Sequence, residues 1–132
     1  MKPLNGIKVI DLTHMLAGPY AGMVIADLGA EVVKIEPLVT GEMTRGLLKT
    51  DPNYSYKEFG AYFLTLNRNK KSVSLDLKSE IGLEIFYELV KSADVVLNNF
   101  SAGVVKKLKI DFETLNNICL LYTSDAADEG VR

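Results

Sequence analysis

The feature that most restricts the fold lies between residues 7 and 36. Residues 7–12, Ile-Lys-Val-Ile-Asp-Leu, form a short apolar run after a turn signal at Asn5-Gly6 and read as a buried strand. Thr13-His14-Met15-Leu16 connects this run to a helical stretch opening at Gly18-Pro19, where the missing proline N–H costs nothing. Ala17, Ala21, Val24, Ile25 and Leu28 recur at helical spacing and predict the inner face. Gly29 suits the left-handed residue that ends a helix. Residues 31–36, Glu-Val-Val-Lys-Ile-Glu, form a second strand that Pro37 stops. Strand, helix and strand in so short a span make a βαβ unit, which demands parallel strands and a right-handed crossover.

The rest of the chain extends the same pattern. Residues 37–60 are polar and irregular, with Gly41, Gly46, Pro52 and Gly60, and a segment of that length is either functional or mobile. Residues 72–77 alternate as a third strand. Residues 80–92 predict an amphipathic helix with Leu83, Ile85, Phe86, Leu89 and Val90 inward. Residues 94–98 predict a fourth strand, followed by two short helices near 102–108 and 112–117. The fold class is therefore α/β: a Rossmann-like parallel sheet with flanking helices.

Composition narrows the function classes. Fifteen basic and 17 acidic residues leave a net charge of -2, which argues against a nucleic-acid partner or an anionic membrane surface. The one cysteine, Cys119, forms no intrachain disulfide and fits a reducing compartment. No secretory signal and no run of membrane-spanning length is visible, so a cytoplasmic location is expected.

The glycines after the first strand do not make a dinucleotide fingerprint. Leu16-Ala17-Gly18-Pro19-Tyr20-Ala21-Gly22 has the wrong spacing, and Pro19 removes an amide that would face a pyrophosphate. Asn67-Arg68-Asn69-Lys70-Lys71-Ser72 sets three cations beside two amides, which suits a phosphate-rich ligand, although composition alone favours a solvated basic turn flanking a strand. Leu75-Asp76-Leu77-Lys78 lies at the carboxyl end of the third strand, the edge where parallel sheets bind ligands. Its plain alternative is a strand end followed by a helix cap at Ser79. Asn98-Asn99-Phe100-Ser101 follows the fourth strand on that edge, where Phe100 is either a platform for an adenine ring or a core aromatic. His14 is the one histidine and reads as structural, and no His/Cys/Asp cluster has metal-ligand spacing.

Taken in order, several stretches carry a resemblance. They are Pro3-Leu4-x-Gly6-Ile7-x-Val9-Ile10-Asp11-Leu12-Thr13, Ala17-Gly18-Pro19-Tyr20, Ala26-Asp27-Leu28-Gly29-Ala30-Glu31 with the strand after it, Asn67-Arg68-Asn69-Lys70-Lys71-Ser72-Val73, Leu75-Asp76-Leu77-Lys78 and Ala93-Asp94-Val95-Val96. Together they resemble the start of a class III CoA-transferase, the CaiB/BaiF family typified by formyl-CoA:oxalate CoA-transferase, over residues 3–118. The resemblance implies the N-terminal part of a larger α/β protein that forms interlaced homodimers. It implies transfer of CoA from an acyl-CoA to a small carboxylate through an aspartyl intermediate, with coenzyme A as substrate and no permanently bound cofactor. The family's aspartate falls beyond the equivalent of Ile118, so no residue here is assigned as catalytic.

The resemblance also carries binding roles, residue by residue. Leu16 and Ala17 would line the adenine or pantetheine path. Leu75, Asp76, Leu77 and Lys78 would approach ribose and phosphates, with Lys78 as the cation. Asn99, Phe100 and Ser101 would flank the nucleotide, and Lys107 would stand where an arginine is common, keeping the charge without the bidentate fork. Pro37 departs from members that carry a basic residue there, and Asn98 from a frequent acid. Two alternatives remain open: a fragment of an α-methylacyl-CoA racemase of the same family, and a non-catalytic nucleotide-binding α/β domain. Asn67, Asn69 and the stretch from Gly41 to Gly46 favour the transferase over the racemase. Residues 119–132 read differently: from Cys119 to Glu129 they can be written as read-through of a sequencing-library adapter, so the expected natural domain is 1–118 with a non-native tail.

Overall fold

The computed structural model describes residues 1–118; the expected tail at 119–132 and Cys119 lie outside the described residues. The four principal strands, β1 (Lys8–Asp11), β2 (Glu31–Glu36), β5 (Lys70–Ser74) and β6 (Val95–Leu97), form one sheet in the order β5-β2-β1-β6. Every pairing in it is parallel, with Val9 opposite Val32 and Val95, and Ile35 opposite Val73. The helix α1 (Ala17–Asp27) connects β1 to β2, as the βαβ pattern requires.

Side chains alternate across each strand, and the two faces differ sharply. On one face Ile10, Leu12, Ile35 and Val96 join Phe86 and Val90 of α3 (Glu80–Lys91) in the main core. The short helices α4 (Ala102–Lys107) and α5 (Phe112–Asn116) close this side, with Ile110 and Leu115 wholly buried. Full burial of a side chain such as Phe86 contributes about 1.5–3 kcal/mol. On the other face Val9 and Val32 pack against Ala26 and Ala30, but towards the carboxyl ends the same face carries Asp11, Lys34 and Glu36, all buried.

That polar patch corrects the expected face of α1. Gly18, Pro19, Gly22, Met23 and Ala26 are the buried residues of the helix, whereas Val24 and Leu28 are exposed. The helix approaches through its small residues because it must sit on a buried charge. A Cβ on Gly22 would stand 2.7 Å from Asp11 Oδ2.

Three further differences concern the middle of the chain. The expected third strand at 72–77 is shifted, since β5 begins at Lys70 and ends at Ser74. Residues 37–60 are not structureless: they hold a 3₁₀ turn at Met43–Gly46 and an antiparallel pair, β3 (Ser55–Tyr56) and β4 (Phe59–Gly60). The helix α2 (Ala61–Leu66) follows, with Phe63 and Leu66 buried. Ile85, expected to face inward, is exposed. No helix among the described residues is long and apolar enough to cross a membrane.

Candidate functional site

The carboxyl ends of β1, β2 and β5 open into a cleft of about 440 Å³. Leu12 and His14 follow β1, Ile35 to Leu38 end β2, and Leu75 to Lys78 follow β5. Phe100 and Leu108 complete the lining from the far side. A second recess of about 490 Å³ shares Leu77, Lys78 and Leu108 with the first and adds Lys107 and Lys109 at its rim.

The turn that presents Lys78 is built locally. The Lys78 amide donates to Asp76 Oδ1 at 3.0 Å, and the Ser79 hydroxyl donates to the Asp76 carbonyl at 2.9 Å. Ser79 also accepts from the Gly82 amide and so caps α3, the expected cap at that position. Asp76 therefore spends a carboxylate oxygen on shaping the turn. Lys78 forms no ion pair among the described residues. Its ammonium is available to an anion.

Not every residue assigned from the sequence meets at this place. Leu75, Asp76, Leu77, Lys78 and Phe100 share the first cleft, and Lys107 joins Lys78 in the second recess. Leu16 and Ala17 are exposed at the start of α1, outside either lining. Asn99 sits outside the lining and staples two loops: it accepts from the His14 amide at 2.9 Å and donates to the His14 carbonyl at 2.8 Å. Ser101 is exposed at the start of α4. The basic run that leads into β5 is taken up elsewhere, Arg68 by Asp27, and Lys70 and Lys71 within the strand by Asp11 and Glu31.

Several lining residues had no signal in the sequence. The His14 ring lies 5.1 Å from the Phe100 ring at a 49° tilt, so the two form one aromatic wall. Burial, and then the nearby Lys34 charge, lower the His14 pKa below its ordinary 6.5 and favour the neutral imidazole. Beneath the wall lies a buried ionic network. Lys70 Nζ donates to Asp11 Oδ2 at 2.9 Å and to the Pro19 carbonyl at 2.8 Å. Lys34, 1% exposed, donates to the Thr13 carbonyl at 2.7 Å and stands 3.9 Å from Asp11. Burial is the leading cause that lowers its pKa, opposed by the Asp11 charge.

Glu36 lines the cleft and anchors the segment beyond β2. Arg45 grips it with two bonds of 2.6 and 2.7 Å, Ser72 Oγ donates at 2.6 Å, and the Glu42 amide donates at 2.7 Å. Burial would raise the Glu36 pKa, but these donors outweigh it and hold the carboxyl at about 2. The Arg45 guanidinium in turn lies over the Phe63 ring at 3.9 Å. Among the described residues no cluster of His, Cys, Asp or Glu is arranged to hold a metal ion.

An apolar floor, an aromatic wall and unpaired lysine at the rim suit a ligand with a planar ring and anionic groups. Comparison with known proteins gives this site a context. The sequence pattern of the family described as CoA-transferase family III matches residues 4–119. The chain is 39% identical to a formyl-CoA:oxalate CoA-transferase of Afipia carboxidovorans over 89% of its own length and 27% of the relative's. It is 41% identical to a succinyl-CoA:mesaconate CoA-transferase of Haloarcula hispanica, over 94% of the chain and 32% of the relative. A crystal structure of a CaiB/BaiF family protein from Brucella suis superposes with a TM-score of 0.83 at 40% identity, covering 93% of this chain and 33% of that one. The chain thus spans about a quarter to a third of the curated relatives it matches.

Proposed function

The chain belongs to CoA-transferase family III, and from that premise we propose that it is the N-terminal part of an acyl-CoA:carboxylate CoA-transferase and carries its CoA nucleotide site. The supporting observation is that Lys78 and Phe100, on loops from two different strands, line a single cleft. In this reading the adenine ring rests on the wall formed by Phe100 and His14, and Lys78 meets a phosphate. Lys107 meets a second phosphate across the shared rim. The apolar floor of Leu12, Ile35 and Leu75 excludes water from the ring. The residues seen here bind and orient; the carboxylate that exchanges acyl group and CoA belongs to the remainder of the parent protein. That parent is a homodimer whose substrates are an acyl-CoA and a small carboxylate, and residues 119–132 are not part of its natural sequence.

Substitution of Lys78 tests the site. A charge-assisted hydrogen bond contributes about 1.5–3 kcal/mol, so Lys78→Ala in the complete parent protein should raise KM for the acyl-CoA about tenfold or more. The value of kcat should stay near wild type, because the contact is made equally before and during reaction. An unchanged KM would remove Lys78 from the site. Following the products separates the transferase from a racemase: label should pass from acyl-CoA to free carboxylate without exchange of the α-proton with solvent.

A further inference from the structure

We propose that Glu42 is a positioning residue for this cleft, its buried carboxylate holding the Met15 amide and so fixing the wall that carries His14. The inference rests on the reading of the cleft given above. The loop from Thr13 to Met15 is held peptide by peptide, by Asp11 just before it and by three residues far along the chain. Asp11 accepts from the Thr13 amide at 2.8 Å, Lys34 binds the Thr13 carbonyl, and Asn99 engages both the amide and the carbonyl of His14. The remaining amide, that of Met15, donates to Glu42 Oε1 at 3.0 Å. Met15 has φ +70, a conformation that L side chains rarely adopt and that its surroundings must impose.

Glu42 is itself rigidly placed. It is 0% exposed, and its second carboxylate oxygen accepts from the Thr44 amide at 2.9 Å and from the Thr44 hydroxyl. Its own amide is bound by Glu36, which also holds Arg45. Gly41, at φ +65, lets the backbone pass where a Cβ would stand 2.9 Å from Glu36 Oε2. The 3₁₀ turn at Met43–Gly46, Glu36 and Met15 are therefore joined through Glu42 by one chain of hydrogen bonds, and His14 is the next residue along. A segment that reads as an irregular excursion from the sheet is wired to the aromatic wall through a single carboxylate.

Glu42→Asp in the complete parent protein separates this role from a merely structural one. Aspartate still caps the 3₁₀ turn, since it ranks among the best capping residues, but it is one methylene too short for the Met15 amide. The expected result is a folded protein whose KM for the acyl-CoA rises about tenfold, because small misplacements of a binding wall carry large penalties. Amide exchange at Met15 should accelerate in the same variant. An unchanged KM in Glu42→Asp, alongside a raised KM in Lys78→Ala, overturns the inference and leaves the cleft assignment standing. Unchanged KM in both overturns the two together. Should Glu42→Asp fail to fold, exchange at Met15 in the wild-type protein decides: strong protection supports the tether, and rapid exchange refutes it.

Discussion

Glu36 concentrates the electrostatics of the site on one side chain. Its carboxyl is held at about 2 against an ordinary 4.5, through Arg45, Ser72 and the Glu42 amide working against burial. Between those two values the unfolded chain binds a proton that the folded chain does not. The stabilisation is thus complete above pH 4.5 and is lost as pH falls through 2. Arg45→Met removes the two guanidinium bonds to Glu36, raises the folded pKa and should shift the acid unfolding midpoint of the complete protein to higher pH. Circular dichroism across pH 2–6 measures it. A midpoint that does not move would show that Ser72 and the Glu42 amide suffice.

Helix α1 shows where local pattern and tertiary environment part company. Its apolar residues at helical spacing, Val24 and Leu28 among them, point outward, while Gly18, Gly22 and Ala26 face the sheet. An exposed Gly→Ala change inside a helix gains roughly 0.8–1.0 kcal/mol in propensity. At Gly22 the added methyl would meet Asp11 Oδ2 at 2.7 Å and Lys70 Nζ at 3.1 Å, both held by a buried ion pair. Overpacking of that kind costs about 1–3 kcal/mol, so Gly22→Ala should be destabilising on balance, read as a lower urea midpoint. An equal or higher midpoint would mean that α1 shifts freely. The sequence made β1, β2, α3, α4 and α5 legible because each follows its own short-range period. It placed β5 late because Lys70 and Lys71 looked like a turn, when Lys70 is buried by a partner 59 residues away. The site divides in the same way. Leu75 to Lys78 and Phe100 stand where strand ends direct them, whereas His14 depends on Asn99, 85 residues away, Glu42 on Met15, 27 residues away, and Glu36 in part on Ser72, 36 residues away.

The described residues leave apolar surface uncovered. Leu16, Tyr20, Val24 and Leu28 recur every four residues along α1, all exposed, and Ile81 and Ile85 do the same on α3. Both β5 and β6 are edge strands. Residues 1–118 expressed alone should self-associate, seen as concentration-dependent light scattering, and Val24→Lys with Leu28→Lys should reduce it. A monodisperse monomer at all concentrations would contradict that expectation. The Asp11–Lys70 pair also imposes a schedule on the newborn chain. At roughly 5–20 residues per second, a ribosome takes about 3–12 s to deliver the lysine after the aspartate. Until then Asp11 has only Lys34, 3.9 Å away, as a cationic neighbour among the described residues, so the buried pair beneath α1 is completed only when the edge strand β5 arrives.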